Sequence, residues 1–252
     1  MSVRGRRVRD GLARVVAVGA AVFWGFLFFG LVDLMTPFTL GAAWADHYLV
    51  ETGWGLLYLV LVTVPLVVLV VSPGSPVALL QLVLVAVAVA TGAVLARSPE
   101  HLLPGVGLLV NAGALAALSP PRGLGPLGPP RFLVALAAVA VLPAAAYAWD
   151  MARATENPEE TWGLDHYPAQ AAFAVAVVLV ALLAAYVVRG PGRARWLPAL
   201  TSGLSAVWMG VLSMVWPQRL GSWGTGWGLA AIAWGVVLVV VAAFPGTRAS
   251  AG

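Results

Sequence analysis

Apolar residues run along this chain in long, nearly unbroken stretches, not in the alternating or amphipathic patterns of a soluble domain. A membrane-crossing helix needs about 20 mostly apolar residues. Dividing the chain at its charged and Pro/Gly interruptions predicts eight such helices: Leu12–Met35, Gly53–Val71, Val77–Ala96, His101–Leu118, Phe132–Asp150, Tyr167–Val188, Trp196–Trp216 and Thr225–Phe244. Arg4, Arg6, Arg7 and Arg9 precede the first, as in a secretory signal. Its apolar run exceeds the roughly 7 to 15 residues of a signal core, so an uncleaved anchor is expected. Pro65 and Pro143 lie inside the second and fifth helices and are expected to weaken or kink them. The expected fold class is an all-α integral membrane protein.

Composition agrees and excludes several chemistries. Of 252 residues, 61% are hydrophobic and only 10% charged, too few charges to clothe a soluble domain. There is no cysteine, hence no disulfide, thiolate metal site or iron–sulfur cluster. There is no lysine, hence no Schiff base to a retinal. All 14 cationic residues are arginine, and with the abundance of valine, alanine, glycine and proline this reads as genomic bias.

The net charge of +4 reflects topology, not nucleic-acid binding. With the N-terminus inside, Arg4, Arg6, Arg7, Arg9, Arg14, Arg122, Arg131, Arg189, Arg193, Arg195 and Arg248 fall on the inner side, and only Arg97, Arg153 and Arg219 on the outer. Nine of the ten acids lie at or beyond the outer ends, Asp10 being the exception. The positive-inside rule then selects both termini in the cytoplasm, in a bacterial plasma membrane. Trp44, Trp54, Trp149, Trp162, Trp216, Trp223 and Trp227 cluster near the outer boundary, as expected of an interfacial belt.

Landmarks recur at a nearly constant offset. Asp46-His47-Tyr48 returns as Asp165-His166-Tyr167 after 119 residues, Asp33 pairs with Asp150 after 117, and Pro73-Gly74 with Pro191-Gly192 and Pro99 with Pro217 after 118. This spacing predicts two parallel four-helix repeats, residues 1–118 and 132–252, joined by a Pro/Gly-rich cytoplasmic linker, 119–131. Extended, that linker reaches on the order of 35 Å.

The membrane interior carries almost no ionisable residue, which argues against an ion-coupled carrier. Thr63, Gln81, Thr91, Asn111, Ser202, Ser205 and Ser213 are expected to make interhelical hydrogen bonds. Chemistry is therefore sought at the outer rim, where His47, His101 and His166 all fall at helix N-termini. Asp46 and Asp165 are placed to cap the second and sixth helices. Asp33 and Asp150 are expected at helix C-terminal ends, where the dipole disfavours a negative charge, so each needs a partner. Arg153 suits Asp150, while His47, Arg97 or a bound cation suits Asp33. Together Asp33, Asp46, His47, Glu51, His101, Asp150, Asp165 and His166 offer oxygen and imidazole donors for zinc, manganese or iron. A structural network of caps and His–Asp hydrogen bonds uses the same residues.

Eight helices in two halves, with histidines near the outer ends of the second, fourth and sixth, resemble the layout of haem A synthase, which implies haem as an alternative cofactor. No histidine stands at the start of the eighth helix. Trp149-Asp150 followed by Pro158-Glu159-Glu160 resembles the short acidic motif of the membrane lycopene cyclases. The wider pattern of neither family accompanies these residues, and the chain is assigned to neither. The expected function is a membrane protein with an outer His/Asp site, binding metal or cofactor or acting as an enzyme. The alternatives are a permease or channel along the repeat interface and an accessory subunit with a membrane-protein partner or a second copy.

Overall fold

The computed structural model describes residues 3–39, 41, 47–121, 123–124, 128–154, 165–190 and 192–244. Among these there is no strand, and eight helices are long and apolar enough to cross a membrane. They run Gly5–Thr39, Tyr48–Val71, Pro76–Ala96, Pro99–Leu118, Arg131–Ala154, Tyr167–Val187, Arg193–Val215 and Gly224–Ala243, and are called the first to eighth helices below. The second, third, sixth and seventh bury 61 to 78% of their most apolar stretch, whereas the outer four bury 17 to 33%. The core is therefore a four-helix interior flanked by the first, fourth, fifth and eighth helices. The apolar surface left on those four, such as Phe26, Leu103, Leu142 and Leu229, suits lipid.

Both prolines act where the sequence places them. Pro65 has no N–H to give to the carbonyl four residues back, that of Leu61. The second helix widens into a π-helical stretch over Leu56–Thr63 before the proline, and the Gln81 side-chain amide donates to the Leu61 carbonyl at 3.1 Å. The same nitrogen lies 3.0 Å from Thr201 Oγ1, so Gln81 joins the second, third and seventh helices. Ser202 Oγ, donating to the Val177 carbonyl at 2.7 Å, does the same for the sixth and seventh. In the fifth helix the turn at Ala140, between Arg131–Val139 and Val141–Ala154, stands just before Pro143. The seventh and eighth helices meet at glycine: a Cβ on Gly203 would lie 2.8 Å from the Gly235 carbonyl oxygen, and one on Gly235 would lie 2.5 Å from that of Gly203.

Contacts at the helix ends sort the bundle into two faces. Arg9 donates to the Leu118 carbonyl and Ser119 Oγ to Asp10 Oδ1, which places the start of the first helix beside the end of the fourth. At the opposite face, His101 in the first turn of the fourth helix reaches the Asp165 carbonyl before the sixth, and Tyr147 in the fifth donates to the Gly221 carbonyl before the eighth. Arg97, Arg153, Arg219 and every described acid except Asp10 belong to this second, histidine-bearing face.

Gln81 is the test of this account of the core. Replacing it by leucine leaves the Leu61 carbonyl without a donor and is expected to cost about 1–2 kcal/mol. That would lower the thermal midpoint of the detergent-solubilised protein by roughly 2–6 °C. A Leu103→Ala change on the lipid-facing surface, 72% exposed, is expected to leave the midpoint nearly unchanged.

Candidate functional site

The first helix is not continuous. Its turns widen at Phe23–Leu27, where the Phe28 N–H bonds to the Phe23 carbonyl five residues back at 2.8 Å. Phe29 then adopts a left-handed φ of +63°, uncommon for an aromatic residue, and a new segment starts at Gly30 and runs to Thr39. The freed Phe28 carbonyl accepts the Trp54 indole N–H at 3.0 Å. Asp33 therefore stands in the first turn of a restarted segment, its N–H bonded to the Phe29 carbonyl, and not at a helix C-terminus as the sequence suggested. The dipole there is favourable to a carboxylate.

The second helix begins at Tyr48, a turn earlier than its hydropathy suggested, so Glu51 lies within it. The sixth begins at Tyr167, whose N–H is accepted by Asp165 Oδ1 at 3.0 Å, the cap expected of that aspartate. Burial pushes the Asp165 carboxyl up from its usual range, against the lowering effects of that N–H and of His101 and His166. His166 is fixed between this cap and the helix.

Three helix starts thus converge, and Asp33, Glu51 and His166 meet. His166 Nε2 lies 3.5 Å from Glu51 Oε2 and 3.8 Å from Asp33 Oδ2. One donor atom from each residue fits within a mutual 4.8 Å, and the three side chains are only 1 to 3% exposed. Asp33 Oδ2 accepts no hydrogen bond from the described residues. The group is interior, not a solvated rim.

Packing holds it there. The Trp54 ring lies 4.6 Å from the His166 ring and continues into an aromatic column through Phe28, Tyr58 and Trp24. Trp54 is 2% exposed and so does not belong to the interfacial belt in which its position had placed it. Close approach of the segments depends on Gly55, where a Cβ would fall 2.3 Å from the Leu34 backbone nitrogen. Gln170, one turn after His166 and fully buried, gives its amide N–H to the Leu49 carbonyl at 2.8 Å.

The other candidates lie apart from this group. His47 ends the loop before the second helix, gives its carbonyl to the Glu51 N–H, and is half-buried outside the trio. His101 has both ring nitrogens engaged, Nδ1 with Ser98 Oγ and Nε2 with the Asp165 carbonyl, each at 2.7 Å. A carbonyl only accepts, so Nε2 carries the hydrogen. Asp150 is exposed, and among the described residues it forms no ion pair with Arg153. Asp46, Trp44, Trp162 and Pro158-Glu159-Glu160 lie outside the described residues. Comparison with family models, curated proteins and solved structures finds no match to this chain.

Gly55 gives a direct check of how the trio is assembled. Gly55→Ala places a methyl against backbone that cannot yield, and is expected to cost roughly 1–3 kcal/mol in thermal unfolding. Gly113→Ala, where a Cβ meets nothing within 4 Å, serves as the control and is expected to be neutral or slightly stabilising.

Proposed function

We propose that this is a multi-pass membrane metalloprotein whose outer face holds one divalent cation between Asp33, Glu51 and His166. The carrying observation is the enclosure of two carboxylates and an imidazole with donor atoms within 4.8 Å of one another. Two ionised carboxylates held out of water are costly, and opposite charge offsets that cost. A divalent cation supplies two positive charges against two negative ones, and a neutral imidazole completes the set.

The spacing supports this reading. An ion holding oxygen and nitrogen donors at about 2.0–2.2 Å sets them roughly 3–3.5 Å apart. The separations of 3.5 and 3.8 Å need to contract by only a few tenths of an ångström. Oxygen and imidazole donors without thiolate favour zinc, manganese or iron. Three protein ligands leave a coordination position for water or a substrate oxygen, which is how catalytic sites of this type differ from closed structural ones. Bound there, the cation would supply Lewis acidity and a water of lowered pKa.

Topology and ancestry belong to the same proposal. The arginines of the face opposite the histidines put that face in the cytoplasm by the positive-inside rule, with both termini inside and the site outside. Two four-helix repeats are supported by the burial pattern, in which helices two and three match six and seven as interior members, and one, four, five and eight match as exterior ones. The 119-residue offset also pairs Glu51 with Gln170 and His47 with His166. On this reading the site takes its carboxylates from the first repeat and its imidazole from the second. Its counterpart, with Gln170 in place of a glutamate, lacks one of the two carboxylates.

Purified protein, stripped and reloaded with zinc, manganese or ferrous iron, is expected to retain about one equivalent of metal by elemental analysis. His166→Ala and Asp33→Asn are each expected to lower affinity by at least roughly 10–100-fold while the far-ultraviolet helical signal persists. Wild-type protein that retains no more metal than these variants would leave the trio as a hydrogen-bonded structural network and overturn the proposal.

A further inference from the structure

A second feature, remote from the trio, lies in the other half of the molecule. The fifth and eighth helices are joined low in the bundle, where the Trp234 indole donates to the Leu136 carbonyl at 2.7 Å. Above that bond they part, and a cavity of about 480 Å³ opens between them, backed by the sixth and seventh helices. Its walls include Pro143, Tyr147, Val178, Trp223, Trp227 and Trp234. Exposure of Val139 and Trp227 on its flanks, 65 and 63%, shows that it communicates with the surface between the two helices. The volume falls within the range of roughly 300–1,000 Å³ usual for small-molecule sites.

Its depth and its charge identify an occupant. From Val139 to Asp150 on the fifth helix, and from Trp223 to Trp234 on the eighth, the lining spans twelve residues, a rise of about 16 Å at 1.5 Å per residue. That is about the hydrocarbon depth of one leaflet, half of a core about 30 Å thick. The wall is apolar along this length except at the end, where Asp150 is the only charged residue lining it among the described residues. Asp150 sits one turn from the end of its helix, at interfacial depth, and Arg153 stands exposed three residues further on, unpaired with it. Asp150 at the end of an apolar, leaflet-deep slot complements the ammonium of a zwitterionic headgroup, and Arg153, exposed and outside the lining, is the next cation along the same helix for its phosphate. Tyr147 and Trp223, in edge-to-face contact at 5.7 Å, place aromatic rings near the ammonium end.

We propose that this cleft is a specific site for one zwitterionic phospholipid of the leaflet on the histidine-bearing face. The acyl chain lies between the fifth and eighth helices, the ammonium meets Asp150, and the phosphate meets Arg153. The proposal is independent of the metal reading, since no residue of the trio lines the cleft.

The test is native mass spectrometry of the full chain released from bilayers of equal phosphatidylethanolamine and phosphatidylglycerol. Wild type is expected to retain about one phosphatidylethanolamine with at least a several-fold preference. Asp150→Asn is expected to lose the preference, and Ala231→Phe, which fills the cleft, to lose the retained lipid while thermal unfolding stays cooperative. Equal retention of both lipids by wild type, preferential retention of phosphatidylglycerol, or an unchanged preference in Asp150→Asn would each overturn it.

Discussion

Two carboxyl groups and an imidazole are costly to hold out of water unless protonation, hydrogen bonding or opposite charge neutralises them, and this constraint bears on the end of the bundle where Asp33, Glu51 and His166 meet. Each residue stands at the beginning of a helical segment, where the backbone dipole presents its positive end. The local irregularities serve that convergence. The widened turns at Phe23–Leu27 and the left-handed Phe29 restart the first helix so that Asp33 faces inward. The Trp54 indole satisfies the carbonyl exposed by the break and packs against His166. Gly55 lets the restarted segment approach to backbone contact. Interruptions of this kind in apolar helices commonly mark functional positions.

The architecture was legible in the sequence because the bilayer imposes a length on every apolar run. All eight helices are present, most within a few residues of the bounds read from hydropathy. The site was legible in its residue types but not in its arrangement. Asp33 was placed at a helix C-terminus because nothing in Phe-Phe-Gly announces a break; that break comes from packing against Trp54 and Leu59, which no local pattern encodes. Glu51 falls outside the second helix when the apolar run is read from Gly53, although the helix starts at Tyr48 and encloses it. Which histidine joins the acids is a matter of helix packing, and the answer, His166 rather than His47 or His101, crosses between the halves of the chain. Gln170 went unread, yet two signals pointed to it: an amide in an otherwise apolar helix one turn after His166, and an offset of 119 residues from Glu51.

Polar groups elsewhere do structural work for the same physical reason, that backbone freed inside a membrane must find a partner. Gln81 answers the carbonyl that Pro65 leaves without a donor, and Ser202 ties two interior helices. His101 and Ser98 fix the start of the fourth helix against Asp165, which in turn caps the helix carrying His166. Two of the chain's three histidines thus contribute to one scaffold from different sides, one holding the cap and one facing the carboxylates. The interior helices carry this network, while the exterior ones present apolar surface and, between the fifth and eighth, the cleft.

The central claim is that a cation sits among one imidazole and two carboxylates, and X-ray absorption at the metal edge of the zinc-loaded protein tests it most directly. The account predicts a first shell of oxygen and nitrogen at about 2.0–2.1 Å, with the outer-shell scattering of a single imidazole that disappears in His166→Ala. A shell containing several imidazoles, or a spectrum unchanged by that substitution, would contradict it.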